Sequence, residues 1–566
     1  MFVCDVFGAK KPMYWRGQAR RELEPARFRR GNTEEMGATM EQEMGVSAAD
    51  ALDVRDAAMS RGDARGSRRL RGALNAFGQM PVVQMLALIG LYSYTALRMI
   101  QKFGVLDPDI WWHMATGRWI LQHHALPVTD PFSMYGATRE WLVYSWAFDV
   151  GVQTLFARFG LVGIFLLQVA VHVLVAIAMY HLVKSLLPDF WRGVALTAVS
   201  LYAISLIYAP RPGMATVLFT ILELGILLAV RRGENPKKLW LLPLIFVAWA
   251  NIHIQFVYGL GLLGVFACEP IVMRVLRLAG EEETREAFAR AKYLWAALGG
   301  CLLATFVNPY GPKLYSTVIE YMHQPKSYSL VVELKAMTFR QPEHYVAAFL
   351  ALCAALAIGW RRERRPLWPM LLAIAAFVAF RSVKEIWFLS VIAACAIADG
   401  WTPLPVVRQR SLAEQSSEVW RNRAFVGAGV LAVLLLAYRR NDVSNDWIAM
   451  QVAGSFPEAS VGYIDKHHLP GPLYNDFTWG GYLIWRLPQL RVANDGRTNV
   501  HGDARVEQDA KVWNGKPGWD SDPELAAANL IVADKKYALT ELLRRDGRFR
   551  LVFEDQDAAV FVSAKP

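Results

Sequence analysis

Residues 161–187 have the sequence LVGIFLLQVAVHVLVAIAMYHLVKSLL, an apolar run that is long enough to cross a lipid bilayer as one helix. A bilayer-spanning helix needs about 20 mostly apolar residues, and runs of this kind recur along the chain. The chain has 566 residues, of which 54% are hydrophobic, and its mean hydropathy is positive. We therefore predict an α-helical polytopic membrane protein with about eleven transmembrane helices. The candidate spans lie near 81–101, 161–187, 192–209, 213–230, 239–254, 256–277, 293–308, 343–360, 366–380, 386–400 and 424–438.

The loops between the candidate spans are of two alternating kinds. One kind is basic, and basic loops remain in the cytoplasm. The other kind carries unusual acidic, histidine, asparagine and proline motifs. We therefore expect a multi-pass protein of the inner (plasma) membrane, with a cytoplasmic N-terminus and with the unusual residues gathered at the extracytoplasmic face. The basic loops contain Arg231, Arg232, Lys237 and Lys238, then Arg274 and Arg277, then Arg361, Arg362, Arg364 and Arg365, and finally Arg408, Arg410, Arg421 and Arg423.

Three regions follow from this pattern. Residues 1–78 are polar and arginine-rich, which indicates a mostly disordered basic cytoplasmic tail; since no apolar core occurs there, we expect the first span to act as an uncleaved anchor. Residues 79–440 form the transmembrane domain, with a large first outer loop at 103–158. Residues 441–566 alternate strand-like and helical patterns, which predicts a small extracytoplasmic α/β domain. The strand-like runs are 471–474, 490–493, 530–533, 549–553 and 558–562, and the helical stretches of the outer loop lie near 108–123 and 140–158.

The formal net charge of +11 fits the positive-inside bias of membrane proteins and an attraction to anionic lipid headgroups. No soluble segment has a basic face with interleaved aromatic residues, so we expect membrane lipid and no nucleic acid among the partners. The five cysteines show no paired spacing of the kind that holds a metal ion.

The first outer loop opens with the sequence LDPDIWWH at residues 106–113. Asp107 before a proline is a good helix N-cap, and capping accounts for it; Asp130 before Pro131 repeats the pattern. Asp109 is explained only weakly as a first-turn acid, so we predict that it acts as a general base or holds a divalent cation. His113 follows four residues later on the same helical face, where the two side chains could bind metal or relay a proton.

Three cations lie at the predicted outer ends of spans: Arg211, Arg381 and Lys384. Charges in or near the membrane are costly and are functional by default. The alternative is that they extend to the lipid headgroups, or that Arg381 and Lys384 simply pair with Glu385.

Other polar residues near the same face have weaker signals. Asn251 and His253 lie near the outer end of a span, where they could bind sugar hydroxyls or phosphate, or could be satisfied structural groups. Glu333, in the outer loop after the seventh span, is a candidate second acid. In the hydrophilic domain, Asp495 and Gly496 are first a turn signal.

The order of these features resembles the GT-C glycosyltransferase superfamily, which includes the protein O-mannosyltransferases, the aminoarabinose lipid A transferases and the oligosaccharyltransferases. The shared features are a first span, an acid at the start of a large outer loop with two interfacial helices, about ten further spans and a C-terminal outer domain. The architectural resemblance covers roughly residues 80–440. Segments similar to an uncharacterised bacterial branch of GT-C-like proteins are 107–121, 249–253, 308–311 and 474–482.

The resemblance implies an inverting hexosyl or pentosyl transfer from a polyprenyl-phosphate donor to an extracytoplasmic lipid, glycan or protein acceptor. The catalytic acid of the superfamily falls on Asp109, or on Asp107 in the other register. Because negative charge develops on the departing phosphate, Arg211, Arg381 and Lys384 are its expected partners, and a divalent cation (Mg or Mn) is a candidate cofactor. The Trp-Trp-Asp motif of oligosaccharyltransferases is absent, so we do not expect N-glycosylation.

Two other functions compete with a glycosyltransferase. A transporter or flippase of lipid-linked sugars would have charges near the bilayer midplane and inverted repeats, whereas the charges of this chain cluster at one surface. A non-catalytic scaffold protein could keep a GT-C-like fold, since fold alone does not determine function.

Overall fold

A computed structural model describes residues 78, 80–102, 106–360, 365–401 and 416–564. The predicted tail, apart from residue 78, lies outside the described residues, as do several arginines of the basic loops. The chain divides into two units, Met1–Gln84 and Met85–Pro566. Met85–Pro566 carries every side chain discussed below.

Helices make up most of the described chain as far as residue 440. Several of them are too polar or too short to span a membrane on their own and connect the longer ones. In chain order they are α1 (Pro81–Lys102), α2 (Asp109–His123), α3 (Trp146–Phe159), α4 (Leu161–Leu186), α5 (Phe190–Ile204), α6 (Gly213–Arg231), α7 (Leu241–Ile252), α8 (Phe256–Val275), α9 (Glu281–Ala304), α10 (Leu314–Met322), α11 (Pro325–Leu330), α12 (Pro342–Trp360), α13 (Leu367–Arg381), α14 (Ile386–Gly400) and α15 (Ser416–Arg440).

Six helical segments of the described residues are long and apolar enough to cross a membrane. The predicted count of about eleven is therefore not confirmed, although most of the other predicted spans are also helical. Three of the other helices are short, since α7 has 12 residues and α13 and α14 have 15 each. Helices α1 and α9 are long enough, with 22 and 24 residues, but are less apolar than the six. The six segments are Leu161–Leu186, Phe190–Ile207, Gly213–Arg231, Phe256–Val275, Pro342–Trp360 and Val419–Arg440.

Helix α14 shows why a short helix still belongs to the bundle. Nearly all of its side chains are buried, because it packs against α4, α5, α12 and α13. A helix that is apolar on every side belongs in the interior. Shielded by longer helices, α14 does not need the length of a lipid-facing span.

The C-terminal region forms the predicted small α/β domain. Its four-stranded sheet has the order β1-β2-β4-β3, in which β1 and β2 are parallel and the other pairs are antiparallel. The strands are β1 (Leu473–Asn475), β2 (Leu530–Asp534), β3 (Phe549–Glu554) and β4 (Ala558–Ser563), and the helices are α16 (Asn445–Ala453), α17 (Glu458–Lys466), α18 (Gly480–Arg486), α19 (Thr498–His501), α20 (Asp503–Trp513), α21 (Pro523–Ala527) and α22 (Ala538–Leu543).

One predicted strand is wrong. Residues 490–493 form only isolated bridges, in which Val492 pairs with Ser133 and with Leu473. On one side, residues 490–493 lie next to the loop that follows Asp130, and this loop contains Pro131. A proline cannot donate to a ladder, and a turn offers no continuous partner, so the pairing does not extend.

The C-terminal domain packs directly on the start of α2. Helix α18 contacts α2, and Trp111 meets Tyr482 edge to face at 5.0 Å between ring centroids. Two glycines allow the backbones to approach: a Cβ at Gly481 would lie 2.6 Å from the carbonyl oxygen of Pro108, and one at Gly496 would lie 2.1 Å from Oδ1 of Asp109. The loop around Gly496 therefore adjoins the acid predicted to be catalytic.

Candidate active site

Arg211 is the centre of a cluster of four charged side chains. Its Nε donates to both carboxylate oxygens of Asp107, at 2.9 and 2.8 Å. Its Nη1 donates to both oxygens of Glu333, at 2.6 Å, and lies 3.0 Å from Oδ2 of Asp109. We call Asp107, Asp109, Arg211 and Glu333 the Arg211 cluster. The structure thus brings together three predicted acids and one predicted cation from distant parts of the sequence.

Asp107 has two tasks in this cluster. Its Oδ1 accepts a hydrogen bond of 2.9 Å from the backbone N–H of Asp109, which fixes the start of α2. Both of its oxygens also bind Arg211. The sequence pattern explained Asp107 by helix capping alone. The contacts with Arg211 show that this explanation is incomplete.

Three carboxylates share one guanidinium, and the pKa values of two of them, Asp107 and Glu333, shift in opposite directions. Burial, together with the neighbouring Asp109 and Glu333, raises the pKa of Asp107 to about 6 although Arg211 opposes the shift. Burial also acts to raise the pKa of Glu333, but the charges of Arg211 and Lys384 outweigh it and hold that pKa below its usual range. Asp107 is therefore the acid of this pair that keeps a proton more readily.

Two cations near the cluster have no carboxylate partner among the described residues. Lys384 lies in the turn between α13 and α14, close enough to influence Glu333. Arg381 ends α13, and its guanidinium carbon lies 5.1 Å from the ring centroid of Tyr328. Neither side chain forms an ion pair with any residue that the structure describes.

The predicted pairing of these cations with Glu385 does not occur among the described residues. Glu385 instead accepts hydrogen bonds from Nε2 of Gln255 at 2.9 Å and from Nε1 of Trp387 at 3.0 Å. Neutral donors are in reach because α8 and α14 both begin beside this turn. Arg381 and Lys384 therefore form no salt bridge with Glu385, although the charge of Lys384 acts on that carboxyl.

His113 does not join Asp109. It is buried, and its Nδ1 lies 2.6 Å from Oδ1 of Asp149 on α3. Ser145 Oγ also donates to Asp149, at 3.1 Å. The shared helical face of Asp109 and His113 is real, but α3 packs on α2 and offers the histidine a closer carboxylate.

Asn251 and His253 connect helices. Asn251 accepts from Nε1 of Trp146 and donates to the carbonyl oxygens of Val247 and Val307, each at 2.8 Å. Nδ1 of His253 lies 2.8 Å from Oγ1 of Thr216 in α6. These contacts are those of satisfied structural groups, the alternative that the sequence had left open.

Two tyrosines beside Asp109 were not predicted. The hydroxyls of Tyr144 and Tyr321 lie 3.1 Å apart, and Tyr321 donates to Oδ1 of Asn499 at 3.0 Å. Burial, with a contribution from the charge of Asp109, raises the pKa of Tyr144 to about 12. No local pattern could have identified this chain of hydroxyls, because its members are more than 170 residues apart in sequence.

The C-terminal domain also anchors the segment that carries Glu333. The carboxylate of Asp503 accepts from the backbone N–H groups of Lys326 and Ser327, each at 2.7 Å. Thr498 donates to Oε1 of Gln324 at 3.0 Å. The domain therefore contacts the Arg211 cluster from two sides, through this segment and through Gly496.

A second arginine cluster lies within the C-terminal domain and its neighbouring loop. Arg497 donates to Asp130 at 2.7 Å and to Asp495 at 2.6 Å, and His501 lies 3.1 Å from Asp495. The guanidinium of Arg497, with the hydrogen bonds from Arg497 and His501, holds the pKa of Asp495 well below its usual range despite burial. We call Asp130, Asp495, Arg497 and His501 the Arg497 cluster; it joins the outer-loop segment to the sheet domain.

The Arg211 cluster can be tested as a site for the expected divalent cation. All three carboxylates already face the guanidinium of Arg211. In the part of the chain that the structure covers, no group of three histidine, cysteine, aspartate or glutamate side chains is arranged to hold a metal ion. In this arrangement the residues do not fit a metal centre.

No protein-family model matches the chain. No curated protein matches it either. Among solved structures, the crystal structure of the Archaeoglobus fulgidus oligosaccharyltransferase in the apo form is 11% identical, with 80% of this chain and 69% of that chain covered and a TM-score of 0.44. Archaeal oligosaccharyltransferase AglB from Archaeoglobus fulgidus, in complex with an inhibitory peptide and a dolichol-phosphate, is 10% identical over the same shares, with a TM-score of 0.45.

Both of these solved structures are of an oligosaccharyltransferase from Archaeoglobus fulgidus. At these scores and identities the likeness carries no argument about the activity of this chain.

Proposed function

We propose that this protein is a GT-C-type glycosyltransferase of the inner membrane that moves a hexosyl or pentosyl group from a polyprenyl-phosphate donor to an extracytoplasmic acceptor. One observation carries the proposal. Two cations without a carboxylate partner among the described residues, Arg381 and Lys384, lie at the same end of the helices as a partly exposed carboxylate, Asp109. A base and a phosphate site are the two elements that such a transfer needs.

Asp109 is the group that we assign to the acceptor. Its side chain is 19% exposed, so a hydroxyl can reach it, and Arg211 orients its Oδ2 from 3.0 Å. In the transfer, the acceptor oxygen forms a bond to the anomeric carbon and gives its proton to Asp109. The bond between that carbon and the donor phosphate breaks, and its electron pair leaves with the phosphate, which inverts the anomeric configuration.

Lys384 and Arg381 are assigned to the departing phosphate. Negative charge grows on the phosphate oxygens as the bond breaks, and fixed cations stabilise it most where water is limited. Because neither cation forms a salt bridge with a described carboxylate, each can donate to phosphate without first breaking one. Arg211 has one terminal nitrogen, Nη2, that bonds to no described residue and could add a further donor.

The test is complementation of a deletion strain, followed by analysis of its glycans and lipids. We expect the wild-type chain to restore a missing glycosylated product and Asp109→Asn to fail, with equal membrane insertion. Asp446→Asn is the matched control, since that exposed carboxylate lies outside the cluster. Full restoration by Asp109→Asn would contradict the mechanism and would favour the scaffold alternative.

One observation favours a transporter or flippase as the second candidate. Glu223 lies in α6 inside a candidate span and is fully buried, and both of its carboxyl oxygens lack a partner among the described residues. The sequence pattern, in which charges cluster at one surface, had not singled out Glu223. A buried acid within a span is a functional candidate by default.

The two candidates predict different effects of Glu223→Gln. A transporter that uses this acid would lose movement of lipid-linked sugar across proteoliposome membranes. A transferase would keep formation of its glycosylated product. Loss of sugar-lipid movement in Glu223→Gln, with full movement in Asp109→Asn, would overturn the transferase proposal.

A further inference from the structure

We infer that the guanidinium of Arg211 takes the position of a divalent cation, so that the acid cluster binds no metal ion. The inference depends on the proposed function for its consequence, a sugar transfer that needs no added metal. Its test does not depend on that function, because it measures metal binding.

The first support is the direction of the carboxylates. Asp107, Asp109 and Glu333 all turn oxygens toward one cation, and all five contacts are between 2.6 and 3.0 Å. Carboxylates arranged around a metal ion converge in the same way. A metal ion placed among these oxygens would lie against the guanidinium, and two like charges at such a distance repel strongly.

The second support is how firmly the guanidinium is held. Arg211 lies between Pro210 and Pro212, whose rings restrict the backbone, and its N–H donates to the carbonyl oxygen of Ala209 at 2.8 Å. Pro210 and Pro212 are themselves buried. The side chain therefore starts from a fixed point directly beside the carboxylates that it contacts.

The third support is the charge balance. Three carboxylates exceed one guanidinium by two charges, and this excess would otherwise attract a divalent cation. Lys384 supplies one further positive charge near Glu333. One negative charge then remains, which is less than the charge of a divalent ion.

The experiment measures binding of Mn²⁺ alone to the full-length protein in detergent, by electron paramagnetic resonance. We expect no stoichiometric binding by the wild type at millimolar Mn²⁺. Arg211→Gln removes the cation but keeps the three acids, and we expect it to gain one bound Mn²⁺ per chain. The double variant Arg211→Gln with Glu333→Gln should lose that ion. Arg486→Gln, which removes an arginine paired with Glu458 in the C-terminal domain, is the matched control and should bind none.

Each outcome bears on the inference. Stoichiometric Mn²⁺ in the wild type that disappears in Glu333→Gln would overturn it, and this measurement remains decisive even when Arg211→Gln does not insert. A folded Arg211→Gln chain that binds no Mn²⁺ would also overturn it, because the acids would then not surround a cation position. Failure of the wild-type chain to restore a glycosylated product, together with the expected Mn²⁺ results, would count against the proposed function alone.

Discussion

The Arg497 and Arg211 clusters use the same chemistry in two different settings. Arg497 is 1% exposed, and its partners Asp130 and Asp495 are fully buried. Arg211 is 23% exposed, and Glu333 is 38% exposed. The first cluster balances two carboxylates with an arginine and a histidine, whereas the second sets three carboxylates against one arginine.

The difference separates a structural role from a chemical one. A buried ion pair in which every charge has a partner holds its segments in place, and loss of one partner leaves a buried charge. A partly exposed cluster with unequal charges can accept a substrate and a proton. Perturbed acids of this kind concentrate at functional sites. We therefore expect the Arg497 cluster to determine stability and the Arg211 cluster to determine activity.

The largest effect should come from Arg497→Gln. The substitution leaves Asp130 and Asp495 buried without their cation, and loss of one partner from such a pair costs about 3–5 kcal/mol. Thermal unfolding in detergent, followed by tryptophan fluorescence, should show a clear fall in Tm. Arg486→Gln breaks an exposed pair worth about 0–1 kcal/mol and serves as the control. An unchanged Tm in Arg497→Gln would remove the contrast between the clusters.

Lys384→Gln should lower the activity and leave the thermal stability nearly unchanged, in contrast to Arg497→Gln. The side chain has no ion pair with a described residue, so the Tm should change little, whereas loss of one donor to a developing anion lowers the rate by about 10²–10³-fold. The rate of product formation in membranes, measured beside Tm, tests both parts. A large fall in Tm with an unchanged rate would show that Lys384 stabilises the fold and does not take part in the transfer.

Gly496→Ala should reduce activity by a smaller factor. A Cβ at this position would lie 2.1 Å from Oδ1 of Asp109, so the acid must move. A displacement of about 1 Å can cost up to about 10²-fold in rate. Gly462→Ala is a suitable control, since a Cβ there meets nothing within 4 Å. Equal activity of the two variants would show that Asp109 need not be held in place.

The smallest expected effect is on the pH dependence of stability, which should run in opposite directions for the two clusters. The pKa of Asp107 rises from 3.8 to about 6 on folding, so the folded state binds the proton more tightly and stability falls as the pH rises through that window. The pKa of Asp495 is lowered, so its contribution is present above its ordinary value and is lost as the pH falls below it. Between about pH 4 and pH 6, Tm should therefore fall less with rising pH in Asp107→Asn than in the wild type. Identical slopes would contradict the assigned shift.

The features of the site that were predictable from sequence are the local ones. The Asp-Pro-Asp motif and the apolar spacing predict a helix near 108–123, and α2 covers Asp109–His123. Asp107, Asp109, Arg211 and Glu333 were each selected by residue type and by their predicted end of a span. Their convergence on one guanidinium was not visible, because contacts between distant segments leave no local pattern.

The features that the sequence did not predict also depend on contacts between distant segments. His113 had a plausible partner four residues away, but its actual partner, Asp149, comes from another helix. Tyr144 and Tyr321 are joined only in the folded chain. Glu223 was overlooked because one acid hardly changes the mean hydropathy of a span. The span at 386–400 was predicted with the bounds of α14, but its burial on nearly every side was not predicted, since burial by neighbouring helices is a tertiary property.

The central claim is that one site holds the acid for the acceptor and the cations for the donor phosphate. A structure determined with a polyprenyl phosphate bound tests it most directly. We predict that the phosphate contacts Lys384 and Arg381, and that the Asp109 carboxylate faces the same space within reach of a sugar attached to that phosphate. A phosphate bound away from both cations, or an Asp109 side chain turned away from that space, would contradict the account.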